Sequence, residues 1–180
     1  MMRDMQKVAK SIGKDHDFAL ALWETGWYEA RMVASMIDEP ARVTAAQMDR
    51  WCKDFVNWGI CDTVCFKLFD QVPHAFNKVK QWARRRNEFD KRAAFALLAC
   101  LALHDPISGD EPFLECLPLV ETAANDDRNF VKKSVSWPMR AMGRRSNELN
   151  AATVMVAKRL ADSDIPSARW VGKDALKDLK

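Results

Sequence analysis

Glycine is scarce in this 180-residue chain, with 6 in all, and no glycine-rich loop of the kind that cradles phosphates precedes any apolar stretch. That removes the nucleotide-binding folds that depend on such loops. Histidine is equally thin: His16, His74 and His104 stand near predicted helix ends with no serine or cysteine in triad order, which disfavours nucleophilic hydrolysis. The 5 cysteines form no C-x-x-C pair, and an odd number with no apolar leader at the start argues against a disulfide framework. Cys52, Cys61 and Cys65, with His74, lack the paired spacing of a zinc site, so no metal is expected. No apolar run approaches the roughly 18 to 20 residues of a membrane-spanning helix, and the opening MMRDMQKVAK carries charge where a signal peptide needs an apolar stretch. The chain is read as a cytosolic, single-domain monomer over 1–180, with no membrane partner.

What is present is helical periodicity. Apolar residues recur at three- and four-residue spacing, while alternating strand patterns are missing. Gly13, Gly26, Pro40, Gly59, Pro73, Asn87, Pro106, Asn125 and Pro166 cut the chain into short segments, which favours antiparallel neighbours. Thr44-Ala45-Ala46-Gln47 matches a capping box and predicts a helix from Ala45. Asp110-Glu111-Pro112 predicts another, from Glu111 to about Ala124. Helices too thin to bury their own apolar stripes suggest a HEAT-like α-solenoid, in which neighbours complete the core. A faint echo between Arg31–Pro40 and Arg92–Pro106 fits such a repeat.

The net charge of +3 conceals an asymmetry. Residues 1–77 hold 9 Lys and Arg against 11 acids, and residues 78–180 hold 19 against 14. The excess is local, with 6 basic residues and no acid between Arg128 and Arg145. Here Lys133, Trp137, Arg140 and Arg144 share one helical face, opposite Val131, Val135, Met139 and Met142. A tryptophan among cations suits a sugar–phosphate backbone; an arginine-covered tryptophan on a solvated face is the alternative. Trp58 and Asp62, four residues apart in NWGICD, can share a pocket wall if a helix opens near Gly59, with Asp62 in its first turn. A carboxylate placed there can stabilise a developing cation or orient water; a first-turn aspartate beside a core tryptophan is the plain alternative. Arg92, between Phe89 and Ala96, needs an anionic partner, either internal such as Asp62 or a ligand phosphate.

Five successive stretches resemble the AlkD-like DNA alkylation repair proteins, a family of HEAT-like-repeat DNA glycosylases. They are ALALWETGWYEARMVASMIDEP, TAAQMDRWCKDFVNWGICD, RRNEFDKRAAFALLACLALHD, DDRNFVKKSVSWPMRAMGRRSNELN and ARWVGKDALKDL, and they cover nearly the whole chain in order. The resemblance implies an all-α solenoid with a concave basic face, duplex DNA as partner, no cofactor, and excision of cationic N3- or N7-alkylated purines. By motif it puts Trp58 and Trp137 beside the deoxyribose, Asp62 as the carboxylate and Arg92 at the backbone. Lys133, Arg140, Arg144, Arg145 and Arg85 become further DNA contacts. Two departures stand out: Pro138 follows Trp137 and biases it away from helical geometry, and the chain begins at what resembles the end of the family's N-terminal helical segment. A non-catalytic nucleic-acid-binding or protein-interaction solenoid is the alternative reading.

Overall fold

Polar side chains set where the helices begin. Asp15, Thr44, Asn57, Asn87 and Ser146 each accept a hydrogen bond from a backbone N–H in the turn that follows, satisfying donors that have no partner within the helix. In the computed structural model, which describes residues 2–179, these starts belong to twelve helices: α1 (Met2–Ile12), α2 (His16–Glu24), α3 (Tyr28–Ile37), α4 (Ala45–Lys53), α5 (Trp58–Lys67), α6 (Ala75–Trp82), α7 (Glu88–His104), α8 (Glu111–Leu114), α9 (Leu117–Ala123), α10 (Asn129–Met142), α11 (Asn147–Ala161) and α12 (Pro166–Leu176). There is no strand among the described residues. Gly13 and Gly26, at φ +82° and +74°, make left-handed turns that a side chain would strain.

The helix predicted from Ala45 is present, and the Thr44 hydroxyl accepts from the Gln47 N–H. The Gln47 side chain does not complete the capping box; it donates instead to buried Asp38, which also binds His16. The helix predicted over Glu111–Ala124 is broken into α8 and α9. Pro118, in the first turn of α9, has no N–H to offer the Leu114 carbonyl, so the chain turns between them.

An inner row of α3, α5, α7, α10 and α12 packs side by side, with α2, α4, α6, α9 and α11 behind it. The inner helices run parallel. Cys61 and Cys65 of α5 meet the carbonyls of Phe89 and Ala93 of α7, a step of four in the same direction on both. Lys132, Ser136 and Arg140 of α10 meet Trp170, Asp174 and Asp178 near α12, again in steps of four. Their N-terminal ends therefore lie along one rim of the stack. Helix α7 is buried continuously from Arg92 to Ala102 and forms the centre of the core, as expected of a helix apolar on all sides. Behind it, Trp23 and Trp51 stack at 3.9 Å and Trp51, Phe69 and Trp82 continue the aromatic core from α2 to α6. All five cysteines are buried and reduced; burial pushes the Cys116 thiol up to about 11, so these thiols are packing groups.

Asp126 fastens the rim ends of α7 and α10. It accepts from Lys91 at 3.0 Å and from Arg128 at 2.8 and 2.6 Å, while Arg128 also donates to the Arg86 carbonyl. Arg128, then Lys91, hold its carboxyl well below the usual carboxylate range. A depressed folded-state value means that the stabilisation is complete at neutral pH and is lost as the pH falls below about 4. Acid denaturation is expected to be steeper in the native protein than in Asp126→Asn, measured by helical ellipticity against pH.

Candidate nucleic-acid site

Two of the sequence-derived site residues meet directly. Arg92 donates from Nε to Asp62 Oδ1 at 2.9 Å and from Nη2 to Oδ2 at 2.6 Å, while its Nη1 donates to the Phe130 carbonyl at 2.8 Å. One guanidinium thus joins α5, α7 and α10, and it is 7% exposed. The bidentate fork fixes the carboxylate plane as well as its position. Asp62 is the fifth residue of α5, beyond the first turn in which the sequence placed it. Asn57, one residue earlier than expected, is the cap, so Arg92 rather than the helix dipole is what holds Asp62. Burial pushes the Asp62 carboxyl above its ordinary value, opposed by the hydrogen bonds and charge of Arg92.

Trp58 opens α5 and is 57% exposed. It lies about 6 Å before Asp62 along the helix axis and on the same face. Phe130, whose carbonyl Arg92 binds, lies in the first turn of α10, exposed and with its ring 5.5 Å from that of Phe89. Phe130 was not singled out from the sequence. Its signal is the DDRNFVKK stretch, in which an aromatic residue directly precedes the basic, amphipathic face.

No hydrogen bond, ion pair or ring contact joins Trp137 to Trp58, Asp62 or Arg92 among the described residues. Because α7 and α10 run parallel and Arg92 is opposite the start of α10, a residue seven positions after Phe130 lies about 10 Å further along. Trp137 lines a separate cleft of ≈170 Å³ with Leu103, Arg140, Ala141, Arg144 and Asp178. Pro138 is not the cause, since α10 continues through it and the turn around Trp137 stays helical.

The expected basic face is also altered by its neighbours. Val131, Val135, Met139 and Met142 are buried, matching the amphipathic reading. Arg140 lies 3.6 Å from Asp178 and 3.8 Å from Asp174, and Arg144 lies 3.8 Å from Asp178, so α12 and the residues after it answer much of that charge. Arg145 is turned inward, donating to the carbonyls of Ala102, Asp105 and Ser108 at the end of α7 and covering Phe113. Arg85 bridges Asp49 and Asp90. Lys133 stays exposed and makes no ion pair among the described residues. No group of three metal-ligating side chains occurs among the described residues, and no described helix is long and apolar enough to cross a membrane.

A model of the DNA alkylation repair enzyme family matches residues 1–179. The chain belongs to that family. A solved structure described as one of "a new family of proteins related to the HEAT-like repeat DNA glycosylases with affinity for branched DNA structures" superposes with a TM-score of 0.79, covering 99% of this chain and 82% of that one at 18% identity. The likeness establishes a HEAT-like fold for this family member. No curated protein matches it in sequence. Within that fold, the Asp62–Arg92 pair joins three successive inner helices at the rim, with exposed Trp58 one turn before Asp62 and Phe130 at the Arg92 contact.

Proposed function

We propose that this protein is a DNA repair glycosylase that excises cationic N3- or N7-alkylated purines from duplex DNA without a cofactor. The observation that carries the reading is the Asp62 carboxylate, oriented by Arg92 and set one turn behind an exposed tryptophan. In such a lesion the N-glycosidic bond breaks with its electron pair going to the purine, which leaves neutral, and positive charge develops on the sugar. A fixed carboxylate stabilises that charge and orients the water whose oxygen bonds to the anomeric carbon, its proton passing to solvent. Trp58 and Phe130 are the walls for the deoxyribose, and Lys133 is a contact to the flanking phosphates. Trp137, Arg140 and Arg144 belong to the outer part of the same surface.

The test is release of free alkylated base from methylated duplex DNA. Asp62→Asn is expected to lower the excision rate by about a hundredfold or more while duplex affinity changes by less than about threefold; equal loss of both overturns the assignment. Activity requires the ionised carboxylate. It should therefore fall as the pH drops through a value above that of an ordinary aspartate, because burial raises the Asp62 carboxyl.

One observation favours a second reading, in which DNA is bound and not cut. Both Asp62 oxygens already accept from Arg92, and the structural relative is described by its affinity for branched DNA. Salt-sensitive binding with no base release from any methylated substrate would decide for it.

A further inference from the structure

The parallel inner helices place an aromatic residue at one rim position after another. Trp27 caps α3 and is 73% exposed, with Tyr28 beside it; Trp58 opens α5, Phe130 lies in the first turn of α10, and Trp170 lies in the second turn of α12. They are neighbours in space as well as in pattern. The Tyr28 hydroxyl reaches Gly59, where a Cβ would approach it to 3.0 Å. Phe130 contacts Phe89 of α7 at 5.5 Å, and Lys132 Nζ stands 5.4 Å from the Trp170 ring. With inner helices about 8 to 10 Å apart, the row spans about 35 Å.

Two largely exposed tryptophans, Trp27 and Trp58, with Tyr28, Phe130 and Trp170 each a little over one third exposed, make a row suited to a partner that offers flat apolar faces. A continuous duplex does not, because its base faces are stacked on one another and only edges are presented in the grooves. Unpaired bases do, and each has a π-face that stacks irrespective of sequence. The charge on the row fits the same ligand: Lys132 and Lys133, which follow Phe130 on α10, make no ion pair among the described residues, and Lys132 reaches the Trp170 ring. A lysine over one face of an indole leaves the other face for a base and sets the ammonium where a phosphate can reach it.

We propose that this rim is a stacking track for unpaired DNA, with Trp27 and Trp170 as its outer positions, so that the strand entering or leaving the Asp62 site is held single-stranded. The proposal rests on DNA being the ligand of that site, and does not require excision. It extends the ligand of that site from plain duplex to duplex carrying a gap, flap or open segment beside the target nucleotide.

Fluorescence anisotropy with labelled oligothymidylate of about 15 nucleotides, against a duplex of equal length, tests it. Oligothymidylate is expected to bind at least as tightly as duplex. Trp170→Ala and Trp27→Ala should each weaken its binding by about 5- to 100-fold, the cost of one lost base stack, and should weaken duplex binding less. Lys132→Ala should reduce the salt dependence of single-strand binding by about one counterion. Trp27 is 73% exposed, so thermal unfolding of Trp27→Ala should match the native protein, and the melting curve of Trp170→Ala, whose residue is 37% exposed, separates lost stacking from lost fold. A duplex preference above about tenfold, or equal losses on both ligands, overturns the track. Excision from duplex with no binding to oligothymidylate overturns the track and leaves the glycosylase; oligothymidylate binding sensitive to Trp170, without excision, does the reverse.

Discussion

Arg92→Ala is expected to destabilise the fold by about 3 kcal/mol, the lower end of the range for removing one partner of a buried ion pair. The lower end applies because the Asp62 side chain retains 20% exposure against 9% for Arg92. The loss has three parts: a bidentate pair, the bond to the Phe130 carbonyl, and a carboxylate left half-buried with no cation. Urea unfolding followed by helical ellipticity measures it. A change below about 1 kcal/mol would show that the three helices are held by packing alone. The double variant Asp62→Leu, Arg92→Met should regain much of the loss, since exchanging a buried pair for apolar groups of similar volume is often neutral. If Arg92→Ala retains measurable excision, its acid limb should lie at higher pH than in the native protein, because the group that opposes the upward shift of Asp62 is gone.

Gly172→Ala is the second large effect. A Cβ at this position would sit 2.5 Å from the Ala157 carbonyl oxygen and 2.8 Å from the Leu160 carbonyl carbon, and closer still to the Ala161 nitrogen. These are backbone atoms of α11 that no rotamer change can move. The helices α11 and α12 would have to separate, at a cost near the upper end of the roughly 1–3 kcal/mol for overpacking, partly offset by alanine's better helix propensity of about 1 kcal/mol. A net loss of about 2 kcal/mol corresponds to a melting temperature lower by about 5 °C for a chain of this size. Gly143→Ala is the control. Its Cβ would meet the end of the Leu179 side chain, which can rotate away, and the Met139 carbonyl at 3.3 Å. Equal melting temperatures for the two variants would mean that the α11–α12 contact is not tight. The separation of α12 should also withdraw Trp170 from Lys132, so Gly172→Ala should weaken oligothymidylate binding although it touches no ligand.

How far the site could be read from the sequence depends on whether its parts are local. Trp58 and Asp62 share a helix face four residues apart, so their relation follows from helical geometry. Arg92 could be assigned a need, an anion beside an apolar stripe, and Asp62 was one of two candidates for it. Trp137 and Phe130 mark where this reasoning stops. Both are aromatic, both lie on α10, and both fit beside a basic residue; choosing between them requires the register of α10 against α7. That register is set by packing of Val131, Val135 and Met139 against a helix some forty residues away, which no spacing within α10 encodes. The charge left free on the basic face depends on contacts of the same long-range kind. Its amphipathic pattern was correct, but Asp174 and Asp178 answer Arg140 and Arg144 from across a helix boundary, and the inward turn of Arg145 depends on the carbonyls at the end of α7.

The lack of glycine loops, of alternating strand patterns and of long apolar runs left a stack of short helices as the remaining class, and the cap at Thr44 set the start of one of them. These are properties of segments of ten to twenty residues, decided by hydrogen bonds and periodicity within the segment. The tertiary structure decided which segments face each other. Parallel packing of the inner helices put their first turns on one rim, closed Arg92 onto Asp62 and the Phe130 carbonyl, set Trp137 about 10 Å beyond Phe130, and brought Trp27, Trp58 and Trp170 to that rim from three distant parts of the chain. Long-range contacts of this kind depend on how side-chain volumes interlock between helices, and that information is spread over the whole sequence and localised in no motif.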